Sequence, residues 1–193
     1  KGLQSRGLVA CGKHFPGHGA TREDSHHRLP ITDIPLGELE GVHMAPFKQA
    51  IRAGLDMIMT AHVLYRKVDP RNTATLSEHI LGELLRKKCG YSGVIVTDDL
   101  NMKAVAERNS IENIALMAVQ AGADQLMICE GLEAQERAVG ALYKAFDGRI
   151  IKKERLAESW QRNRDLKPKL MKAEVASNLD ELRQHFPSMQ VSP

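Results

Sequence analysis

"AGLDMIMTAH" occupies Ala53–His62, and an echo of it, "AGADQLMIC", occupies Ala121–Cys129. Each begins with an Ala-Gly pair suited to a helix C-terminus, passes through a turn aspartate (Asp56 or Asp124) and ends in a short apolar run. Runs this brief and this continuously apolar do not make helices. They read as strands buried on both faces, the habit of parallel sheets. Two more runs have the same character, "LVAC" at Leu8–Cys11 and "VIVTD" at Val94–Asp98.

Helical patterns lie between the runs. "PLGELEGVHMAPFKQAIRAG" precedes the second strand. "SEHILGELLRKKCG" precedes the third, with Ser77 as N-cap and Gly90 just past the C-terminus. "SIENIALMAVQAG" precedes the fourth, with Ser110 and Gly122 in the same roles, and "AQERAVGALYKAF" follows it. Strand and helix in alternation make βα units. Every apolar run ends in a polar or reactive residue: Lys13-His14, His62, Asp98 and Glu130. In α/β barrels and open α/β sheets alike, chemistry gathers at the carboxyl ends of strands. Four βα units make half of a (β/α)8 barrel, which takes roughly 250 residues.

Composition sets the remaining limits. The 193 residues are 42% hydrophobic and 26% charged, which suits one globular core with a tail. A net charge of +3 and 4% aromatic residues give neither the charge nor the stacking platforms that nucleic acid requires. No run approaches the ~18 apolar residues of a membrane span. Cys11, Cys89 and Cys129 form no CxxC pair and lie among apolar residues, so buried free thiols in a reducing compartment are expected. "IIKKERLAESWQRNRDLKPKL" reads as a helix with Ile151, Leu156, Trp160 and Leu166 on its apolar side and its cations on a solvated face. "HFPSMQVSP" reads as a loose tail.

Two segments carry chemistry. "KHFPGHGATREDSHH", Lys13–His27, holds four of the chain's eight histidines in a stretch broken by a Pro-Gly turn. "GYSGVIVTDDLNMKAV", Gly90–Val105, carries a buried strand into Asp98 and Asp99. Taken singly, each has a plain structural reading: an aspartate capping the next helix, and a turn aspartate beside solvated histidines. His18 fits a structural role in its turn, and His62 suits either the pocket or the packing around it. His14, His18, His26 and Asp24 could chelate zinc, but a Pro-Gly turn does not suggest a closed first shell, and no metal or cofactor is expected.

Together, "KHFPGHGATREDSHHRLP" and "GVIVTDDLNMKA" resemble the two signature segments of glycoside hydrolase family 3, in particular its bacterial β-N-acetylglucosaminidase branch. The resemblance implies a (β/α)8 TIM barrel, with residues 1–150 as its C-terminal half and residues 151–193 as a helix and tail on the same domain. It implies that the first four βα units, with further acidic and arginine sugar ligands, lie outside this sequence. It implies a retaining exo-hydrolase that removes N-acetylglucosamine from muropeptides in cell-wall recycling, in the cytoplasm. Asp98 would be the nucleophile, and Asp99 the neighbour that shapes the turn. His26 would be the acid/base, oriented by Asp24; imidazole titrates near neutrality, so it can give a proton to the leaving oxygen and take one from water. Lys13 and His14 would donate to sugar hydroxyls. Phosphorolysis on the same residues, or an inactive binding module, are the alternatives.

Overall fold

The computed structural model describes residues 2–21, 25, 28–107, 109–129 and 131–171, and within them three of the four apolar runs become parallel strands while a fourth parallel strand starts where the first run ends. The chain runs through β1 (Cys11–Phe15), β2 (Ile31–Thr32), α1 (Leu36–Glu38), α2 (Ala45–Arg52), β3 (Met57–Thr60), β4 (Leu64–Tyr65), β5 (Val94–Asp99), α3 (Lys103–Ala106), α4 (Ile111–Ala121), β6 (Gln125–Met127), α5 (Leu132–Asp147) and α6 (Lys153–Met171). Two wider helical segments, Leu39–His43 and His79–Lys88, close on i→i+5 hydrogen bonds, from Met44 N to Leu39 O at 2.8 Å and from Cys89 N to Leu84 O at 3.0 Å.

The sheet order is β1-β3-β5-β6, with every pair parallel. Met57 is the hinge of the register, paired with Cys11 on one side and Val94 on the other. Strands laid down in chain order, with no reversal of direction across the sheet, form the wall of a barrel. A doubly wound sheet has a switch point, and this arc has none.

The caps behave as their residue types demand. Ser77 Oγ accepts from Ile80 N at 3.2 Å and Ser110 Oγ from Asn113 N at 3.5 Å, each satisfying a donor that the first helical turn leaves open. Gly90 and Gly122, at φ 64° and 122°, end the same two segments in a conformation that a Cβ would strain. The core joins Phe15, Ile58 and Ile95 of the strands to Leu39, Leu85 and Ile114 of the helices. Each such side chain contributes about 1.5–3 kcal/mol on burial.

The structure corrects four expectations. The first strand is Cys11–Phe15 rather than Leu8–Cys11; Leu8 is exposed, and the ladder to β3 begins only at Cys11. Burial on both faces holds along β5 through Thr97, whereas β1 and β6, the outer strands of the arc, are only partly buried. Cys11 and Cys129 are exposed and Cys89 is partly buried, because two of these thiols lie on or just past those outer strands.

The fourth correction concerns α6. Ile151 and Leu166 are buried as expected, but Trp160 is exposed beneath the guanidinium of Arg164. Some of the cations are not on a solvated face but paired with buried carboxylates. Arg155 and Arg162 converge on Asp124, whose side chain is fully buried and also accepts from Arg86, Ser159 and the Ile95 N–H. Lys169 reaches the other echo aspartate, Asp56, at 2.6 Å. The two turn aspartates of the repeated motif therefore fasten α6 across the amino ends of β3 and β6.

Candidate functional site

β5 is buried from Val94 to Thr97 and emerges at Asp98 and Asp99. Asp98 keeps 17% of its side chain exposed, so its carboxylate meets solvent over a narrow angle. One carboxylate oxygen, Oδ1, accepts the Asp99 N–H at 2.9 Å. The other, Oδ2, lies 3.4 Å from Nε2 of His14, which reaches over the end of β3 from β1. Two of the residues read from separate motifs are thereby brought together by the parallel register.

Asp99 does not cap the next helix; α3 starts at Lys103 with no side-chain cap. Its Oδ1 accepts from Asn101 N and from Cys129 N, each at 3.1 Å. That closes the turn after β5 and ties it to the chain leaving β6, the turn-shaping role expected of it.

His62, just beyond β3, is 1% exposed, so its ring lies beneath the pocket surface rather than on it. Its Nε2 lies 2.9 Å from Asp99 O and its Nδ1 2.7 Å from Thr75 Oγ1. A carbonyl can only accept, so Nε2 carries the proton. The single proton of the Thr75 hydroxyl is shared between Nδ1 and Ala61 O at 3.0 Å, and Thr60 Oγ1 lies 2.8 Å from the same oxygen. Burial lowers the His62 pKa, against the raising effect of the Asp99 hydrogen bond and the charges of Asp98 and Asp99, so the ring stays neutral near pH 7.

A second, smaller sheet pairs Ile31 with Leu64 and Thr32 with Tyr65, joining the loops that follow β1 and β3. Tyr65 is buried, and its hydroxyl donates to Gly17 O at 2.6 Å. Burial pushes that phenol's pKa up, so it remains a donor. Leu64 N donates to Pro30 O at 2.9 Å. The carbonyls of Gly17 and Pro30 are thus each held by the segment that follows β3. Gly17, at φ 135°, has no room for a side chain, because a Cβ there would come 3.0 Å from the His43 Cβ. His18 keeps a structural role, with Nδ1 2.8 Å from Thr21 Oγ1 and its ring edge-on to His14.

Asp24 and His26, read as the acid/base pair, lie outside the described residues, as does Glu130. Ser25, between the first two, is buried. Lys13 is exposed and lines a cleft of about 550 Å³ with His14, His18, His43 and Phe47, between β1 and α2. The His62–Thr75 pair and the Tyr65 anchor were not legible in the motifs; each depends on residues far apart in sequence. Among the described residues, no group of three acidic, histidine or cysteine side chains could hold a metal, and no helix is long and apolar enough to cross a membrane.

Comparison with known proteins gives a consistent result. Residues 1–165 match the glycosyl hydrolase family 3 N-terminal domain. A β-hexosaminidase of Alkalilimnicola ehrlichii is 41% identical over 133 residues, 69% of this chain and 38% of that protein. One from Neisseria meningitidis serogroup C is 39% identical over 161 residues, 83% of this chain and 43% of that protein. Among solved structures, a family 3 β-N-acetylglucosaminidase from Paenibacillus sp. FPU-7 superposes with TM-score 0.86 at 42% identity, covering 88% of this chain and 32% of its own. The β-N-acetylglucosaminidase of Thermotoga maritima gives TM-score 0.76 at 29% identity, covering 92% of this chain and 38% of its own. The chain spans about two fifths of the length of these curated relatives.

Proposed function

The chain belongs to glycoside hydrolase family 3, its sheet is part of that family's barrel, and from this we propose that it supplies the carboxyl-terminal half of a retaining exo-β-N-acetylglucosaminidase site. The observation that carries the reading is Asp98. It is a mostly buried carboxylate at a strand end, with one oxygen held by a backbone N–H and the other beside His14. A carboxylate held so rigidly is placed for in-line attack on an anomeric carbon at about 3 Å.

In the first step an Asp98 oxygen bonds to the anomeric carbon as the bond to the aglycone oxygen breaks, and His26 gives that oxygen a proton. In the second, water attacks the glycosyl-enzyme, His26 takes the proton, and the Asp98–sugar bond breaks. Asp24 holds the imidazole and stabilises its cation. Lys13 and His14 donate to hydroxyls of the terminal sugar. Double displacement releases the sugar with its β configuration. The substrate class proposed is an N-acetylglucosamine-terminated muropeptide met in the cytoplasm during cell-wall recycling.

The test is proton NMR of products formed from a muropeptide by the natural gene product, with and without phosphate. β-N-Acetylglucosamine as first product in both cases supports the proposal. The α anomer as first product would exclude a glycosyl-enzyme, and a sugar 1-phosphate would make the enzyme a phosphorylase.

A further inference from the structure

Between the two strands that carry His14 and Asp98 stands β3, and its end bears a histidine to which the mechanism above gives no role. His62 is buried, yet it lies within the electrostatic reach of Asp98, Asp99 and His14. Both ring nitrogens are engaged, one by Thr75 Oγ1 at 2.7 Å and the other by Asp99 O at 2.9 Å. The carbonyl it grips belongs to the Asp99–Leu100 peptide, one unit beyond the Asp98–Asp99 peptide whose N–H holds Asp98 Oδ1 at 2.9 Å, and the two units share the Asp99 Cα.

We propose that His62 is a positioning residue for the nucleophile, its Nε2–H fixing the Asp99 carbonyl and thereby the backbone of the residue whose N–H orients the Asp98 carboxylate. This rests on the reading of Asp98 as the nucleophile.

The geometry favours this over a packing role. A residue that only filled space beneath the site would be apolar, since a buried imidazole must satisfy two nitrogens. Here they are satisfied by a connected set, Thr60, Thr75, His62 and Asp99. The Asp99 carbonyl fixes the tautomer, because it can only accept and so holds the proton on Nε2, and the two contacts together fix the ring plane. Asp99 is held on every side: its carbonyl by His62 and by Met102 N at 3.1 Å, and its carboxylate by Asn101 N and Cys129 N. Without His62 the carbonyl keeps only the Met102 N–H, so the turn stays closed while the strand end carrying Asp98 gains freedom to pivot. His62 does this without placing a cation beside Asp98, so the carboxylate keeps the electron density that attack requires.

The experiment compares His62→Ala with His62→Gln in the natural gene product, a glutamine amide being able to donate from nearly the position of Nε2. Turnover of an aryl N-acetylglucosaminide should fall about 10–100-fold in kcat for the alanine variant, the scale of a small misplacement of a reacting group, with KM little changed. Glutamine should restore most of it. Hydrogen exchange supplies a readout independent of activity. The Asp99 amide should exchange at least about tenfold faster in His62→Ala, while the Ile95 amide, bonded to Asp124 at 3.0 Å, keeps its rate. Equal losses in the two variants, or Asp99 and Ile95 accelerating together, would reduce His62 to a packing residue and overturn the proposal. Should His62→Ala fail to fold, Thr75→Val, which strips the partner from Nδ1, carries the same expectations. If the unmutated protein hydrolyses no N-acetylglucosaminide, the reading of the site fails, and the exchange rates still decide whether His62 holds the Asp99 peptide.

Discussion

Replacing Asp124 by asparagine should cost the fold about 3 kcal/mol, from one atom exchanged at constant shape. The side chain is fully buried and accepts from Arg86 Nη2 at 2.5 Å, Ser159 Oγ at 2.8 Å, Arg162 Nη1 at 3.0 Å and Ile95 N at 3.0 Å. Arg155 Nη1 completes the set at 3.3 Å. An amide keeps one acceptor oxygen and turns its NH2 toward donors on the other side. Three guanidiniums then lose their counter-charge together. Breaking a buried ion pair by removing one partner costs about 3–5 kcal/mol. The arginine side chains retain 15%, 18% and 22% exposure, so water offsets part of the loss and the lower end applies. Desolvation already holds the Arg86 pKa down at about 10, which shows how little solvent compensates it. Urea unfolding followed by circular dichroism measures the difference. Lys169→Ala is the control. Its partner Asp56 is buried but the lysine is 60% exposed, so its loss should stay below about 1 kcal/mol. An Asp124→Asn loss below about 1 kcal/mol, or one no larger than that of Lys169→Ala, would refute the view that Asp124 clamps α6 to the sheet.

Three further outcomes are expected. His26→Ala should lower turnover of poor leaving groups by about 10²–10⁴-fold and that of activated aryl leaving groups far less, and equal losses on both would make His26 a binding residue. Tyr65→Phe removes the only hydrogen bond described for the Tyr65 hydroxyl and leaves the Gly17 carbonyl short of a donor, so denaturant titration should show a loss of about 1–3 kcal/mol. Because burial sets the His62 pKa below its unfolded value, the unfolded chain binds the extra proton first. The stability from His62 is therefore complete above about pH 6.5 and lost as the pH falls below it, by up to about 1.4 kcal/mol per pH unit, and His62→Gln should flatten that acid limb.

The parallel sheet was legible because local patterns mark its strands, whereas their arrangement as part of a barrel rested on the family resemblance. Each of the four runs is apolar and short, and Ser77, Ser110, Gly90 and Gly122 punctuate the helices between them. The first strand was misplaced because apolarity was read as strand, whereas pairing with Met57 starts at Cys11 and carries polar Lys13 and His14 along. Asp98 and His14 were legible as members of long motifs, and the register supplied their contact. What escaped depends on distance in sequence. Asp124 meets Arg155 across 31 positions and Arg86 and Arg162 across 38, so its turn aspartate looked like loop chemistry and their cations like a solvated face. His62 finds Thr75 only because the segment after β4 folds back into the turn Ala74–Leu76.

The central claim is that Asp98 forms the bond to the sugar, and the turnover of Asp98→Asn tests it most directly. The amide preserves the size of the side chain and can still accept the Asp99 N–H, but it cannot attack an anomeric carbon at a useful rate. Assayed in the natural gene product on an aryl N-acetylglucosaminide that needs no help in leaving, with folding verified by circular dichroism, the variant should show essentially no hydrolysis. Retention of more than about a tenth of the unmutated rate, a barrier rise of less than about 1.4 kcal/mol, would show that Asp98 is not the nucleophile.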